Sequence, residues 1–213
     1  MTEDIPALNL FMMMRELNRQ ALRPLPDGYT IRPCHQLDYP AWKDLHVDLP
    51  EQAEEYHRVL DSYFELVYAP FGDLFFKRCR LVCDSDGRLV ASGFIWKAYG
   101  SINTFHWLKV LRSEEGKGIG RGLLSALFRE LAPPDYPVYL HTHPSSYRAV
   151  KLYSDFGFQL LSDPLIGYRT NHLEASLPYL EKYMPAADYA NLRITTAPTD
   201  FLTAAAQTEY EQF

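Results

Sequence analysis

The stretch "EEGKGIGRGLLSALFREL", Glu114 to Leu131, constrains this chain more than any other. Gly116, Gly118, Gly120 and Gly122 fall close together, and an apolar stripe at helical spacing begins among them: Ile119, Leu123, Leu124, Leu127, Phe128 and Leu131. A strand-like run, "INTFHWLKVL", stands just before it. The pattern is strand, glycine turn, helix, with the first helical turn inside the glycine segment. A helix N-terminus carries unpaired N–H groups and the positive end of the helix dipole. Glycine leaves both uncovered, so the segment predicts an anion cradle. Glycines at 120 and 122 weaken a helix by roughly 1 kcal/mol each, a cost that a plain turn does not require.

Two common phosphate loops are excluded by spacing. A Walker-type loop needs a glycine where Leu111 stands and a Ser or Thr where Gly118 follows Lys117. The dinucleotide fingerprint fails because Leu123 occupies its last glycine position, and because antiparallel strands precede the loop.

Those strands are read from "YTIRP" (29–33), "RCRLVCD" and "RLVASGFIWKAYG", the last two joined by an Asp86-Gly87 hairpin turn. "DYPAWKDLHVDL" predicts a short helix. The segment from Pro50 to Phe71 predicts a longer one, with Ala53, Tyr56, Leu60, Phe64 and Val67 on its apolar face and Glu51, Glu54, Glu55, Asp61 and Glu65 on the other. That acidic run reads first as a solvated face, and second as an attractor for a cationic amine. Residues 1–28 read as a helical extension through Leu8, Phe11, Met12, Arg15 and Leu17, with Met12–Met14 packed on their own domain or offered to a protein partner. Residues 172–213 read as a second helical extension, with Leu173, Leu177, Leu180 and Met184 on one stripe. Together the two extensions fit a lid or a homodimer contact.

A net charge of −6 argues against nucleic-acid binding and suits a small cationic partner. Cys34, Cys79 and Cys83 are too few for a disulfide framework or a zinc site. The N-terminal segment is neither a signal peptide nor a membrane span, which predicts a cytoplasmic protein with no membrane contact.

With these motifs in hand, the segment "WLKV" followed by Glu115-Gly116-Lys117-Gly118-Ile119-Gly120 resembles motif A of the GNAT superfamily of acyl-CoA-dependent N-acetyltransferases. "YPVYLHTHPSSYRAVKLYSDFGFQLL" is similar to the family's motif B, with Ala149, Tyr153, Gly157 and Phe158 in its positions. The resemblance covers about residues 29–171. It implies an α+β fold with a mixed, mostly antiparallel, twisted sheet flanked by helices, and transfer of an acetyl group from acetyl-CoA to a primary amine of a small molecule or peptide by direct attack. The alternatives are a non-catalytic CoA-binding module and an acyltransferase using a longer acyl-CoA.

The resemblance also implies roles. Amides of Leu108, Lys109 and Val110 would meet pantetheine and thioester, and those of Gly116 to Arg121 the pyrophosphate. Lys117 and Arg121 would supply positive potential, with Glu115, where the family commonly has Gln or Arg, turned to solvent. Ser146 would cap the motif B helix beside Ala149. Tyr153 would protonate the departing thiolate, against a plain reading as a core aromatic. His106 would deprotonate the amine, against a histidine packed between Phe105 and Trp107. His141 and His143 share a strand face. They read as hydrogen-bonding or substrate-facing side chains, with no metal expected.

Overall fold

The computed structural model describes residues 5–207, 210, 212 and 213. In chain order the elements are β1 (Leu10–Met14), β2 (Thr30–Pro33), α1 (Tyr39–Leu45), α2 (Ala53–Val67), α3 (Leu74–Arg78), β3 (Arg80–Cys83), β4 (Leu89–Ala98) and β5 (Ile102–Val110). They continue with α4 (Ile119–Arg129), β6 (Val138–Thr142), α5 (Tyr147–Phe156), β7 (Gln159–Leu161), β8 (Leu165–Ile166) and β9 (Arg169–Thr170). The last are α6 (Leu173–Tyr183), α7 (Ala186–Ala190), β10 (Ile194–Thr195) and α8 (Thr199–Ala206). The chain divides into two packed units, and its path crosses between them within β4, within β5, and at two further points.

One unit takes residues 23–96 and 106–130. Its strands pair antiparallel, with Thr30 opposite Cys83 and Pro33 opposite Arg80, then Arg80 opposite Gly93 and Leu81 opposite Ser92. Trp42 of α1, Phe75 of α3 and Phe94 and Trp96 of β4 fill its core, with Tyr68 just past α2 among them. The helix α4 buries Ile119, Leu123, Leu124, Leu127 and Phe128 of the stripe read from sequence, while Leu131 lies past its end and is half-buried. The second helix departs from its reading: only Leu60 and Val67 of the expected face are buried, while Tyr56 is exposed. Asp61, on the acidic face, accepts from Lys43 Nζ at 2.8 Å and from the Tyr39 hydroxyl at 2.9 Å, so its charge is largely compensated.

The other unit takes the chain through Leu22, residues 97–105 and residues 131–213. Here the predicted N-terminal helix is a strand. β1 runs antiparallel to β6 from Leu10 opposite Thr142 to Met14 opposite Val138, and it pairs with β7 through Met12 opposite Leu160. All five of its residues are buried. A strand with neighbours on both edges and cover on both faces is apolar at every position, and a run that short carries no period to separate it from a helix. Two parallel pairings make the sheet mixed: Asn103 with Val138 between β5 and β6, and Ile194 with Leu160 between β10 and β7. The C-terminal segment contributes α6, α7 and α8, and also β10.

The closing glycine of the motif B segment has two reasons to be there. Gly157 ends α5 at φ +106°, and a Cβ on it would lie 2.7 Å from the Glu16 carbonyl oxygen. Left-handed backbone and close approach both exclude a side chain.

Candidate functional site

The glycine segment folds as the sequence predicts, and its detail assigns each residue differently. After β5 the Leu111 amide donates to the Val90 carbonyl at 2.9 Å, and one 3₁₀ turn covers Arg112–Glu114. Gly116 and Gly118 then take φ of +79° and +87°, and Gly118 is the N-cap of α4. Two left-handed residues turn the chain so that the first amides of α4 are presented at its start, where no intrahelical acceptor exists. Gly122 serves another purpose. Its missing Cβ would lie 2.7 Å from Leu25 Cα, so it admits the passing chain, and the cradle argument drawn from its helix cost does not apply.

The two glutamates part company. Glu115 is exposed, whereas Glu114 is 6% exposed and holds the loop from beneath. Its carboxylate accepts from the Tyr29 hydroxyl at 2.6 Å, from Lys117 Nζ at 2.8 Å and from Arg88 at 3.2 Å. The Lys117 hydrogen bond, then that of Tyr29, holds the Glu114 carboxyl below its ordinary pKa, and the same contact raises Lys117. Lys117 therefore spends its charge on Glu114. The only cue to Glu114 in the sequence was the doubled acid, which does not say which member turns inward.

Along β5, Lys109 Nζ is tied to Asp48 at 2.6 Å, and Leu108 and Val110 are half-buried. Trp107 adopts φ +53°, an outlier for a bulky residue. In a regular strand His106 and Trp107 would point to opposite faces. Here both reach one oxygen: Trp107 Nε1 donates to the Tyr68 hydroxyl at 2.8 Å, and His106 Nδ1 stands 2.6 Å from it. The Trp107 carbonyl accepts from Ser92 Oγ at 3.2 Å, and that oxygen accepts in turn from His46 Nε2 at 3.3 Å. Burial, with a smaller effect from Lys109, lowers the pKa of His46 to about 3.

In the other unit Tyr153 faces inward from α5. It is 6% exposed, with Phe105 edge-on at 6.0 Å and Phe158 at 5.8 Å. Burial alone raises its pKa, so it holds its proton firmly. Ser146 is the N-cap of α5 but makes no side-chain capping bond, contrary to expectation: its ψ of 34° is not the extended value of a capping residue. Ala149 is half-buried one turn before Tyr153. His141 Nε2 bonds Asn9 Oδ1 at 3.0 Å and His143 Nδ1 the Leu8 carbonyl at 2.9 Å, so both rings engage the start of the β1 segment. Among the described residues no group of three or more His, Cys, Asp or Glu side chains is placed to hold a metal ion, and no helix is long and apolar enough to cross a membrane.

A β-strand running into left-handed glycines and a helix N-terminus, beside antiparallel strands, is an arrangement suited to holding an anion. Residues 38–158 match the family model described as "Acetyltransferase (GNAT) family". The chain belongs to that family. No curated protein matches its sequence. Among solved structures it is similar to an acetyltransferase from the GNAT family of Colwellia psychrerythraea, at 15% identity and a TM-score of 0.51, over 73% of this chain and 53% of that one. It is also similar to a tandem GNAT protein from the clavulanic acid biosynthesis pathway, solved without AcCoA, at 15% identity and a TM-score of 0.53, over 73% and 50%. At such identities the likeness is one of fold, and the chain spans about half the length of either protein.

Proposed function

We propose that the protein transfers an acetyl group from acetyl-CoA to a primary amine by direct attack of the amine on the thioester. The observation that carries this reading is the cradle: left-handed Gly116 and Gly118 at the start of α4, with the nearby Glu114 charge matched by Lys117 and Arg88. Amides from Gly116 to Arg121 would receive the pyrophosphate, and those of Leu108 to Val110 would lie along the pantetheine. Ser146 and Ala149 would border the cofactor on the α5 side. Tyr153, which keeps its proton at neutral pH, would give it to the departing thiolate. His106 would take the proton that the amine must lose. The acceptor is a small molecule or a peptide, and the site of action is the cytoplasm.

Calorimetric titration with acetyl-CoA, with ATP and NAD as controls, tests the cradle first. Tight binding of acetyl-CoA alone is expected, followed by thiol release in an amine screen. Equal or absent binding of all three would overturn the reading.

A further inference from the structure

Ser92 is a fully buried hydroxyl within β4, and no step of the reaction uses it. A buried hydroxyl is costly unless its proton and its lone pairs find partners. Its two contacts are the Trp107 carbonyl at 3.2 Å and His46 Nε2 at 3.3 Å. A carbonyl only accepts, so the one hydroxyl proton goes to Trp107, and the other contact is satisfied when His46 donates from Nε2. With the Ser92 proton on His46 instead, two acceptor oxygens would face each other at the Trp107 carbonyl. One arrangement serves both contacts, and its order is His46 to Ser92 to Trp107.

The carbonyl that ends this series belongs to the peptide joining Trp107 to Leu108. That peptide is trans, so its N–H points opposite to its carbonyl. Pinning the carbonyl on Ser92 therefore aims the Leu108 N–H away from Ser92. The backbone here has need of a pin. Trp107 sits at φ +53°, and such a conformation persists only where the surroundings over-determine it. Trp107 is gripped at both ends: its indole Nε1 donates to the Tyr68 hydroxyl at 2.8 Å, and its carbonyl accepts from Ser92. His46 is itself fixed, 7% exposed and edge-on to the rings of Trp42 and Trp107 at 4.8 and 5.3 Å.

We propose that Ser92, oriented by His46, is the positioning residue of the Leu108 amide, fixing the 107–108 peptide before any ligand binds. Resting on the acyl-transfer reading, which sets this amide against the thioester, the Leu108 N–H donates to the thioester oxygen as that oxygen gains charge. The charge develops as the amine nitrogen bonds to the carbonyl carbon, and it is given back when the C–S bond breaks. Ser92 and His46 exchange no proton in either step.

Turnover and CoA binding of three variants of the whole protein test this, together with long-range ¹H–¹⁵N NMR of the histidine rings. The ligand-free wild type at pH 7 should show His46 as the Nε2–H tautomer. Ser92→Ala and His46→Leu should each lower kcat by about tenfold or more, with the Kd for CoA lacking its acetyl group unchanged. His46→Gln, which keeps a donor for Ser92, should recover most of the turnover lost in His46→Leu. An Nδ1–H tautomer in the wild type would overturn the proposal, and it is read without any variant having to fold. So would Ser92→Ala turning over like wild type, losing CoA affinity as much as kcat, or His46→Gln as impaired as His46→Leu. Failure of the wild type to bind acetyl-CoA would instead overturn the acyl-transfer reading, and the His46 tautomer would still decide the pin.

Discussion

Glu114 has the properties of a side chain whose charge is part of the architecture. Three donors from three segments converge on it, namely Tyr29, Arg88 and Lys117, and its carboxyl pKa is lowered by the bonds of Lys117 and Tyr29. The sign follows from linkage. A lowered folded pKa means that the folded state holds fewer protons than the unfolded chain, so the contribution is present above the ordinary carboxylate range near about 4.3. It is lost as pH falls through the folded value. Glu114→Gln should therefore lower the melting temperature at pH 7, and the gap to wild type should narrow as the pH is taken progressively below the ordinary carboxylate range. Thermal melts of both proteins across a descending pH series check it, and a gap independent of pH would remove the charge from the account. Sequence could weigh the pair Glu114-Glu115 only as a liability beside a phosphate. Which carboxylate is buried depends on Tyr29 and Arg88, whose approach no local pattern encodes.

At the scale of elements, legibility followed periodicity. The helix α4 and strands β2 to β5 were readable because a 3.6-residue stripe, a Gly-bearing hairpin turn and alternating runs each have one physical interpretation. β1 was not, because five consecutive buried apolar residues fit a helix equally well; what decides is the pairing with β6 and β7, far away in sequence. The convergence of Tyr68, His106 and Trp107 was hidden for a related reason: a positive φ inside β5 cancels the alternation on which strand reading rests. Gly122 shows the opposite error, a glycine assigned to ligand binding that is needed for packing. With Leu25 Cα 2.7 Å from a would-be Cβ, Gly122→Ala must displace backbone. Helix propensity favours the alanine by roughly 1 kcal/mol, while overpacking against backbone costs about 1–3 kcal/mol, so net destabilisation is expected. A urea denaturation midpoint at or above wild type would contradict the contact.

Across the whole molecule, each of the two packed units carries a histidine held neutral, His46 buried and His141 half-buried. His46 is lowered to about 3, by burial first and then by Lys109, with Asp48 opposing; His141 is lowered to about 2, by burial first and then by Arg169 and His143. Both act in the same direction. Between their folded values and the unfolded value near about 6.5, the unfolded chain takes up protons that the folded protein refuses, so stability falls as pH drops below that value. The slope is about 1.4 kcal/mol per pH unit for each fully refused proton, and between pH 7 and pH 5 His46 alone accounts for about 2 kcal/mol. The acid response should thus begin well above the carboxylate range in which Glu114 contributes. His46→Gln separates the two, because a glutamine amide can still donate to Ser92 Oγ but does not titrate. Urea denaturation of wild type and His46→Gln at pH 7 and pH 5 should show a smaller loss for the variant, by about 2 kcal/mol. If both proteins lose the same stability over that interval, His46 is not a buried neutral imidazole, and the packing of Trp42 and Trp107 edge-on to it at 4.8 and 5.3 Å does not exclude water as it must.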